Sequence, residues 1–202
     1  MRVEILLNGL RLAPFIGSLS DSKVEGMCKV ADMFRLYGPA NSNFLAYILA
    51  TAFHESGGTM APVREGFAKT DAEAIRIVTS LYNAKRIRKN YALPDPATGK
   101  SYFGRGLVQL TWKDNYKRIG NLLGIDLLNN PDLALDPEIS AIILVRGMLE
   151  GWFTGRKLKG CVILGELSYK KARSVVNGSD QADKIAQYAY SFEKNLRIYH
   201  DE

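Results

Sequence analysis

The sequence predicts a predominantly helical α+β chain with a small β element near its middle. Three observations carry this. Apolar residues recur at the helical period in several stretches, most of which open or close on capping or glycine signals. Between them, residues 85–109 lose that period and are punctuated by proline and glycine. Hydrophobic residues make up 47% of the 202 and charged residues 24%, the balance of a globular chain able to bury a core. The length suits one domain, or one domain with two lobes, and no internal repeat, low-complexity segment or linker divides it.

Residues 22–37 place Val24, Met27, Cys28, Ala31, Phe34 and Tyr37 close to the helical period, with Ser22 and Glu25 at capping-box spacing. A second helix is expected from Asn41 or Ser42 to about Glu55. Phe44, Leu45, Tyr47, Ile48, Leu49, Ala52 and Phe53 make it apolar nearly all round, which predicts burial, and Gly57-Gly58 stop it. A third covers about 71–84 behind a Thr70 and Glu73 capping box. Residues 85–101 read as an exposed loop or small hairpin turning at Pro94-Asp95-Pro96-Ala97-Thr98-Gly99, and Tyr102 to Gln109 suggests a short strand. Further helices are expected from Thr111 to about Leu123, ending at Gly124, and from Asp136-Pro137-Glu138 to about Phe153. Another is expected over about 164–175, breaking at Asn177-Gly178. The last runs from about Asp180 to Tyr199, with Ile185, Tyr188, Phe192, Leu196 and Tyr199 on one face.

The net charge is +6 and the isoelectric point about 9.3. Such a balance favours polyanionic partners: nucleic acid, an anionic membrane or an acidic cell wall. The basic residues crowd into Lys85-Arg86-Ile87-Arg88-Lys89, which reads either as a solvated face or as a specific site. Cys28 and Cys161 lie far apart and match no metal spacing; both are expected reduced and buried, Cys28 on the apolar face of the first helix. The stretch Met1 to Arg11 is interrupted by Asn8 and Arg11, and Glu4 is out of place for a signal peptide. No run approaches the roughly 18 apolar residues of a membrane span. The expectation is a chain made in a cytoplasm, without an export signal of its own and without stable membrane insertion.

The residues that carry chemistry begin with His54-Glu55-Ser56-Gly57-Gly58-Thr59-Met60-Ala61-Pro62-Val63-Arg64-Glu65. One acid closes an apolar helix; the other follows a glycine turn, near enough in sequence to face it across a cleft. Two carboxylates in unlike surroundings suit hydrolysis of a glycosidic bond, one held protonated and one ionised. Glu55 shares a face with Ile48, Thr51 and Ala52. Apolar burial and the negative helix end would keep it protonated as a general acid. The alternative is a carboxylate at a helix end, paired with His54 or an arginine. Glu65 is expected in a loop between glycines, where a solvated carboxylate stays ionised with help from Arg64 and Lys69; the alternative is a surface salt bridge. Tyr102-Phe103-Gly104-Arg105-Gly106-Leu107-Val108-Gln109-Leu110-Thr111, followed by Asn115-Tyr116, adds glycines that let the backbone pass close to a bulky group. Gln109, Thr111 and Asn115 supply short polar groups suited to sugar hydroxyls and to a water. This Gly-Arg-Gly lacks the third glycine and the βαβ setting of a dinucleotide site. His54 reads as a base or, preferably, as a residue that orients or packs its acidic neighbour. No His-Glu-x-x-His is present, and His200 falls at a helix end, so zinc is not expected. No Gly-x-Ser-x-Gly elbow surrounds Ser56.

Taken together these residues resemble glycoside hydrolase family 19, the chitinase-like family, and within it the phage endolysin branch. The resemblance covers about residues 20 to 198. Ala46-Tyr47-Ile48-Leu49-Ala50-Thr51-Ala52-Phe53-His54-Glu55 is similar to the family helix that ends in a His-Glu pair, which makes Glu55 the general acid. Thr59 to Glu65 resembles the segment with the second acid, which makes Glu65 the general base. Phe103 to Thr111 with Asn115-Tyr116 resembles the most specific family signature, implying that Gln109 and Asn115 bind sugar and Thr111 holds the attacking water. Val175-Val176-Asn177-Gly178 resembles the late Asn-Gly motif, placing Asn177 in the cleft; His54, Tyr102 and Arg105 complete the expected substrate-binding set. The spacing of the two acids is shorter than in plant chitinases and resembles the bacteriolytic branch. Ser179 stands where a second glycine often follows, and no residue is assigned to the family's late cleft arginine.

The resemblance implies a lysozyme-like α+β fold with a substrate cleft between two lobes, in one catalytic domain without a separate wall-binding module. It implies inversion, with carboxyls roughly 6.5–9.5 Å apart to admit a water, and no metal or organic cofactor. The expected substrate is peptidoglycan, cut at the β-1,4 bond between N-acetylmuramic acid and N-acetylglucosamine by a monomeric phage lysin. Such a lysin waits in the host cytoplasm until a holin opens the inner membrane. A chitinase is the nearest rival, a lytic transglycosylase a second. A non-catalytic wall- or nucleic-acid-binding module using the basic cluster is a third, and no nucleic-acid partner is expected.

Overall fold

The structure, a computed structural model, describes the backbone of residues 8–17 and 19–200 and the side chains of residues 8–17 and 19–196. The reading of residues 1–7 as no part of a signal peptide, and the placing of Tyr199 on the last helix's apolar face, lie outside the described residues. Residues 8–12 are helical, and the helices that follow in chain order are α1 (Asp21–Tyr37), α2 (Ser42–Glu55), α3 (Asp71–Asn83), α4 (Lys113–Leu123), α5 (Pro137–Glu150), α6 (Tyr169–Ala172) and α7 (Ala182–His200). Two antiparallel pairs supply the β structure: β1 (Val63–Arg64) with β2 (Arg105–Gly106), and β3 (Val162–Ile163) with β4 (Glu166–Leu167). The chain divides into two compact units, Met1–Met60 with Leu144–Glu202, and Ala61–Ile143. Among the described residues no helix is long and apolar enough to cross a membrane.

In the first unit α2 is the central element. Asn41 caps it by accepting from the Asn43 amide, and its residues from Ala46 to Ala52 are all buried. A helix buried on all sides needs partners on all sides. One is an edge-to-face aromatic cluster, in which Phe53 of α2 meets Phe15 at 5.0 Å and Tyr188 of α7 at 4.7 Å between ring centroids. Another is Tyr47 stacked on Tyr169 of α6 at 5.7 Å, with the Tyr169 hydroxyl donating to Glu193 of α7. Gly26 of α1 is required by close approach, since a Cβ there would lie 2.1 Å from the Met60 carbonyl oxygen.

In the second unit α3 is capped as expected, with the Thr70 hydroxyl accepting from the Glu73 amide at 3.2 Å. The Glu73 carboxylate reaches one residue further than a capping box, to the Lys69 amide. Below α3 lies a core of Ala68, Ala74, Val78, Ala92 and Phe103. The short β1–β2 pair is fastened by a closed ring of ion pairs. Arg64 binds Asp71 at 2.8 Å and Asp132 at 2.7 Å, and Arg105 binds the same two carboxylates at 2.8 and 2.7 Å. Gly106 is held by close packing and by a φ of 90°.

Several sequence expectations are corrected. The helix expected over 22–37 begins at Asp21, and no capping box forms because the Ser20 and Ser22 hydroxyls bond each other at 2.9 Å. Its buried stripe is Met27, Val30 and Phe34, which turns Cys28 and Tyr37 to the surface; Cys161 is the buried cysteine. No helix covers 164–168: Leu164 and Gly165 have φ of 51° and 86°, the two left-handed residues of a tight hairpin turn, and helix resumes only at Tyr169. α4 starts at Lys113 because Trp112 has a φ of 78°, and α5 stops at Glu150 before Gly151 with a φ of 85°. Residues 85–101 form a loop without strands, turning through Asp95 to Lys100.

Candidate active site

Tyr47, Thr51 and Glu55 follow one another at four-residue steps along one face of α2. The exit of the helix is fixed by its own turn, where the buried Ser56 hydroxyl accepts from the Met60 amide and the Gly58 amide returns to the Phe53 carbonyl. This leaves the Glu55 side chain 16% exposed, with Oε1 at 2.6 Å from Nη1 of the 4% exposed Arg173. The Arg173 Nε donates to the Asp180 carbonyl, and the Asn177 amide donates to the Arg173 carbonyl. The Asn177-Gly178 turn thus folds back to aim the guanidinium, while the Asn177 side chain is exposed.

The apolar setting expected for Glu55 is therefore replaced by an ion pair, the alternative the sequence left open. Sequence reasoning assigned no role to Arg173. The signal was available: a carboxylate closing a buried helix needs a cation, and Arg173 sits just ahead of the Asn177-Gly178 motif. His54 is half-buried, and that burial is the main reason its pKa falls below the ordinary histidine value, against a smaller upward pull from Glu55. The imidazole is neutral near pH 7, its ring 6.4 Å from Tyr188, in keeping with a packing and orienting role.

Glu65 follows β1 directly. Its amide donates to the Gly104 carbonyl at 2.7 Å, and the Gly104 amide donates back to Glu65 Oε2 at 3.0 Å. Burial pushes the Glu65 pKa up, opposed by the bonds from Gly104 and from the Tyr91 hydroxyl. Tyr91 is itself pushed up to about 12, by burial and then by the Glu65 charge. The solvated loop carboxylate expected from sequence is thus a partly desolvated one. Its expected helper Arg64 is committed to Asp71 and Asp132, and the Lys69 side chain is exposed.

Gln109 has a φ of 51°, and its Nε2 donates to the carbonyls of Val63 at 3.0 Å and Gly106 at 3.2 Å, tying both strands together. Its Oε1 and the Glu65 Oε2 flank Gly104 so closely that a Cβ there would lie 2.6 and 2.7 Å from them. The Thr111 hydroxyl donates to the Gln109 carbonyl at 2.8 Å, which leaves its lone pairs as acceptors for a water. Asn115 Nδ2 donates to the Thr111 carbonyl at 2.8 Å, and its Oδ1 accepts from Arg118. The structure therefore brings the Glu65 and Gln109 side chains to Gly104 and links Thr111 and Asn115 to Gln109 by successive hydrogen bonds.

Two expected sugar contacts are corrected. Tyr102 is 3% exposed and its hydroxyl donates to the Leu128 carbonyl at 2.9 Å. Arg105 is fully buried. Besides Asp71 and Asp132 it serves the Ser101 carbonyl and the Tyr116 hydroxyl, and its guanidinium lies 3.7 Å from the Phe103 ring centroid. Both residues build the second unit from within. Among the described residues no group of three or more His, Cys, Asp or Glu side chains is placed to hold a metal ion.

The chitinase class I family model, that of glycoside hydrolase family 19, matches residues 37–177, more than half of the chain. The chain belongs to this family. Endochitinase 1 of Theobroma cacao is 43% identical over 109 residues, covering 50% of this chain and 30% of that protein. Inactive chitinase-like protein 1 of Hevea brasiliensis is 54% identical over 56 residues, 25% of this chain and 18% of that protein. The matches thus span less than a third of either plant relative. Chitinase C from Streptomyces griseus HUT6037 shares the fold with a TM-score of 0.56, over 87% of this chain and 83% of that one, at 22% identity. The lysozyme-like, predominantly helical α+β fold expected from the sequence is the one observed.

Proposed function

We propose that the chain is a glycoside hydrolase that cuts β-1,4 bonds in N-acetylglucosamine polymers, with chitin as the first substrate to test. Family membership and the endochitinase relatives support this. Since one relative carries an inactive name, the activity rests on this chain's own residues. The observation that carries it is the Glu65 group: a partly desolvated carboxylate held by the Gly104 amide, with the Gln109 side chain against the same glycine and the Thr111 hydroxyl bonded to the Gln109 carbonyl. A carboxylate whose pKa is raised by burial is the stronger base once ionised, which suits a general base.

In this reading Glu65 takes a proton from water at Thr111, and Glu55 gives one to the leaving glycosidic oxygen, so that the anomeric centre inverts. Gln109 and Asn115 position sugar groups. The chain holds the two acids in settings opposite to those read from their sequence surroundings, Glu55 ion-paired and Glu65 partly desolvated.

A second reading is a muramidase acting on peptidoglycan in the lysis of a bacterial host, favoured by the net charge of +6 toward an anionic wall. Mass spectrometry of fragments from chitin oligomers and from purified peptidoglycan tests both. Reducing N-acetylglucosamine ends from chitin support the first reading, and reducing muramic acid ends from peptidoglycan support the second. An anhydro end would replace hydrolysis by transglycosylation, and absence of any release would overturn both.

A further inference from the structure

Trp112 is an unusual residue to leave at a surface. It is 42% exposed, and its backbone has φ 78° and ψ 133°, a conformation a bulky side chain rarely adopts. The surroundings hold it there. Its amide donates to the Tyr102 carbonyl at 2.9 Å, and its carbonyl accepts from Asn115 and Tyr116 at 3.0 and 3.1 Å. Strain of this kind persists only where neighbouring structure imposes it, and it gathers at functional sites.

The ring is also tied to the acid. The Trp112 and Tyr91 ring centroids are 5.2 Å apart, tilted by 54°, and the Tyr91 hydroxyl bonds the Glu65 carboxylate. One tyrosine therefore separates the exposed indole from the proposed base, and Thr111 precedes it directly in the chain. Lys89 lies 5.2 Å from the indole centroid and steadies it through a cation–π contact. An exposed, fixed aromatic plane beside polar groups is the form in which proteins receive the apolar face of a pyranose ring, because the plane gives contact area at little cost in conformational entropy.

We infer that Trp112, backed by Tyr91 and Lys89, is the stacking surface for one pyranose ring of the polysaccharide that Glu65 acts on. The inference rests on the proposed glycosidase reading and adds a binding residue to it. Binding through Trp112 serves ground state and transition state alike, so its loss raises KM and leaves kcat nearly unchanged.

The test uses the N-acetylglucosamine tetramer as probe. The other tryptophan, Trp152, is 5% exposed, so sugar stacking should change the emission of Trp112 and the response should vanish in Trp112→Phe. Trp112→Ala should raise KM about tenfold, the weight of one aromatic contact, with kcat within about threefold. Trp112→Phe should recover most of the lost affinity. An active wild type with flat emission and an unchanged KM in Trp112→Ala overturns the inference. So does a kcat loss at constant KM, or failure of Phe to rescue, which would leave Trp112 as the start of α4 alone. A wild type whose emission responds but which cuts no polymer supports the stacking surface and overturns the hydrolase reading. A wild type that neither responds nor cuts overturns both.

Discussion

Arg173 Nη1 donates to Glu55 Oε1 at 2.6 Å across 118 residues of sequence. The contact joins the end of α2 to the turn that follows α6, and both side chains are largely removed from water. Removing one member of such a pair leaves the other uncompensated, at about 3–5 kcal/mol. Arg173→Met should therefore lower unfolding free energy by about that amount in urea melts at pH 7. Glu55→Gln keeps an oxygen that accepts from Arg173 but leaves the buried guanidinium without its counter-charge, so it should also destabilise, and the double variant should lose less than the sum. Strict additivity would show that the contact contributes nothing in solution.

Glu65→Gln should abolish turnover while making the fold more stable at neutral pH. The folded carboxyl has a pKa raised above its unfolded value, so the folded state holds its proton more tightly. The stability this gives is present at low pH and is lost as pH rises through the folded pKa. The Gln variant, permanently neutral, should melt above wild type at pH 7, and the gap should close as pH falls through the raised pKa and below the unfolded one. For the same reason the acidic limb of wild-type activity should lie above the ordinary glutamate range. A Gln variant that melts lower at pH 7 than at pH 4, relative to wild type, would contradict the desolvated setting.

Gly104→Ala should keep its backbone conformation and lose activity. An added Cβ would lie 2.6 Å from Gln109 Oε1 and 2.7 Å from Glu65 Oε2, so both side chains must shift. Displacements of about 1 Å at reacting groups cost on the order of 10²-fold in rate. A kcat/KM within threefold of wild type would remove Gly104 from the positioning of Glu65.

Arg105→Met should act on stability, not on substrate. The buried guanidinium closes the ring with Asp71, Arg64 and Asp132, and its loss leaves Asp71 and Asp132 half-exposed and short of one cation. Loss of these bonds and of the donor to the Ser101 carbonyl should lower unfolding free energy by about 1–3 kcal/mol, with KM at low temperature unchanged. A raised KM in a stable Arg105→Met protein would restore Arg105 as a sugar contact.

The helical frame was legible from sequence wherever apolar spacing and caps agreed: α2 from Asn41 to Glu55, α3 behind Thr70, and α5 behind Asp136-Pro137, whose carboxylate accepts from the Glu138 and Ile139 amides. It failed where left-handed backbone decided the outcome, at Leu164-Gly165 and at Trp112, because non-glycine residues give little warning of such angles. The site was legible as residue types and not as partnerships. Glu55, Glu65, Gln109, Thr111 and Asn115 could be named from their motifs. That Arg173 meets Glu55, and that Arg64 and Arg105 share Asp71 and Asp132, depends on long-range contacts that local spacing does not encode.

The most direct test of the account is the anomeric form of the first product, followed by proton NMR during cleavage of the N-acetylglucosamine hexamer. Inversion by Glu55 and Glu65 predicts that the α-anomer appears first and the β-anomer only later, by mutarotation. Early β-anomer, an anhydro product, or a hexamer left uncut together with intact peptidoglycan would contradict it.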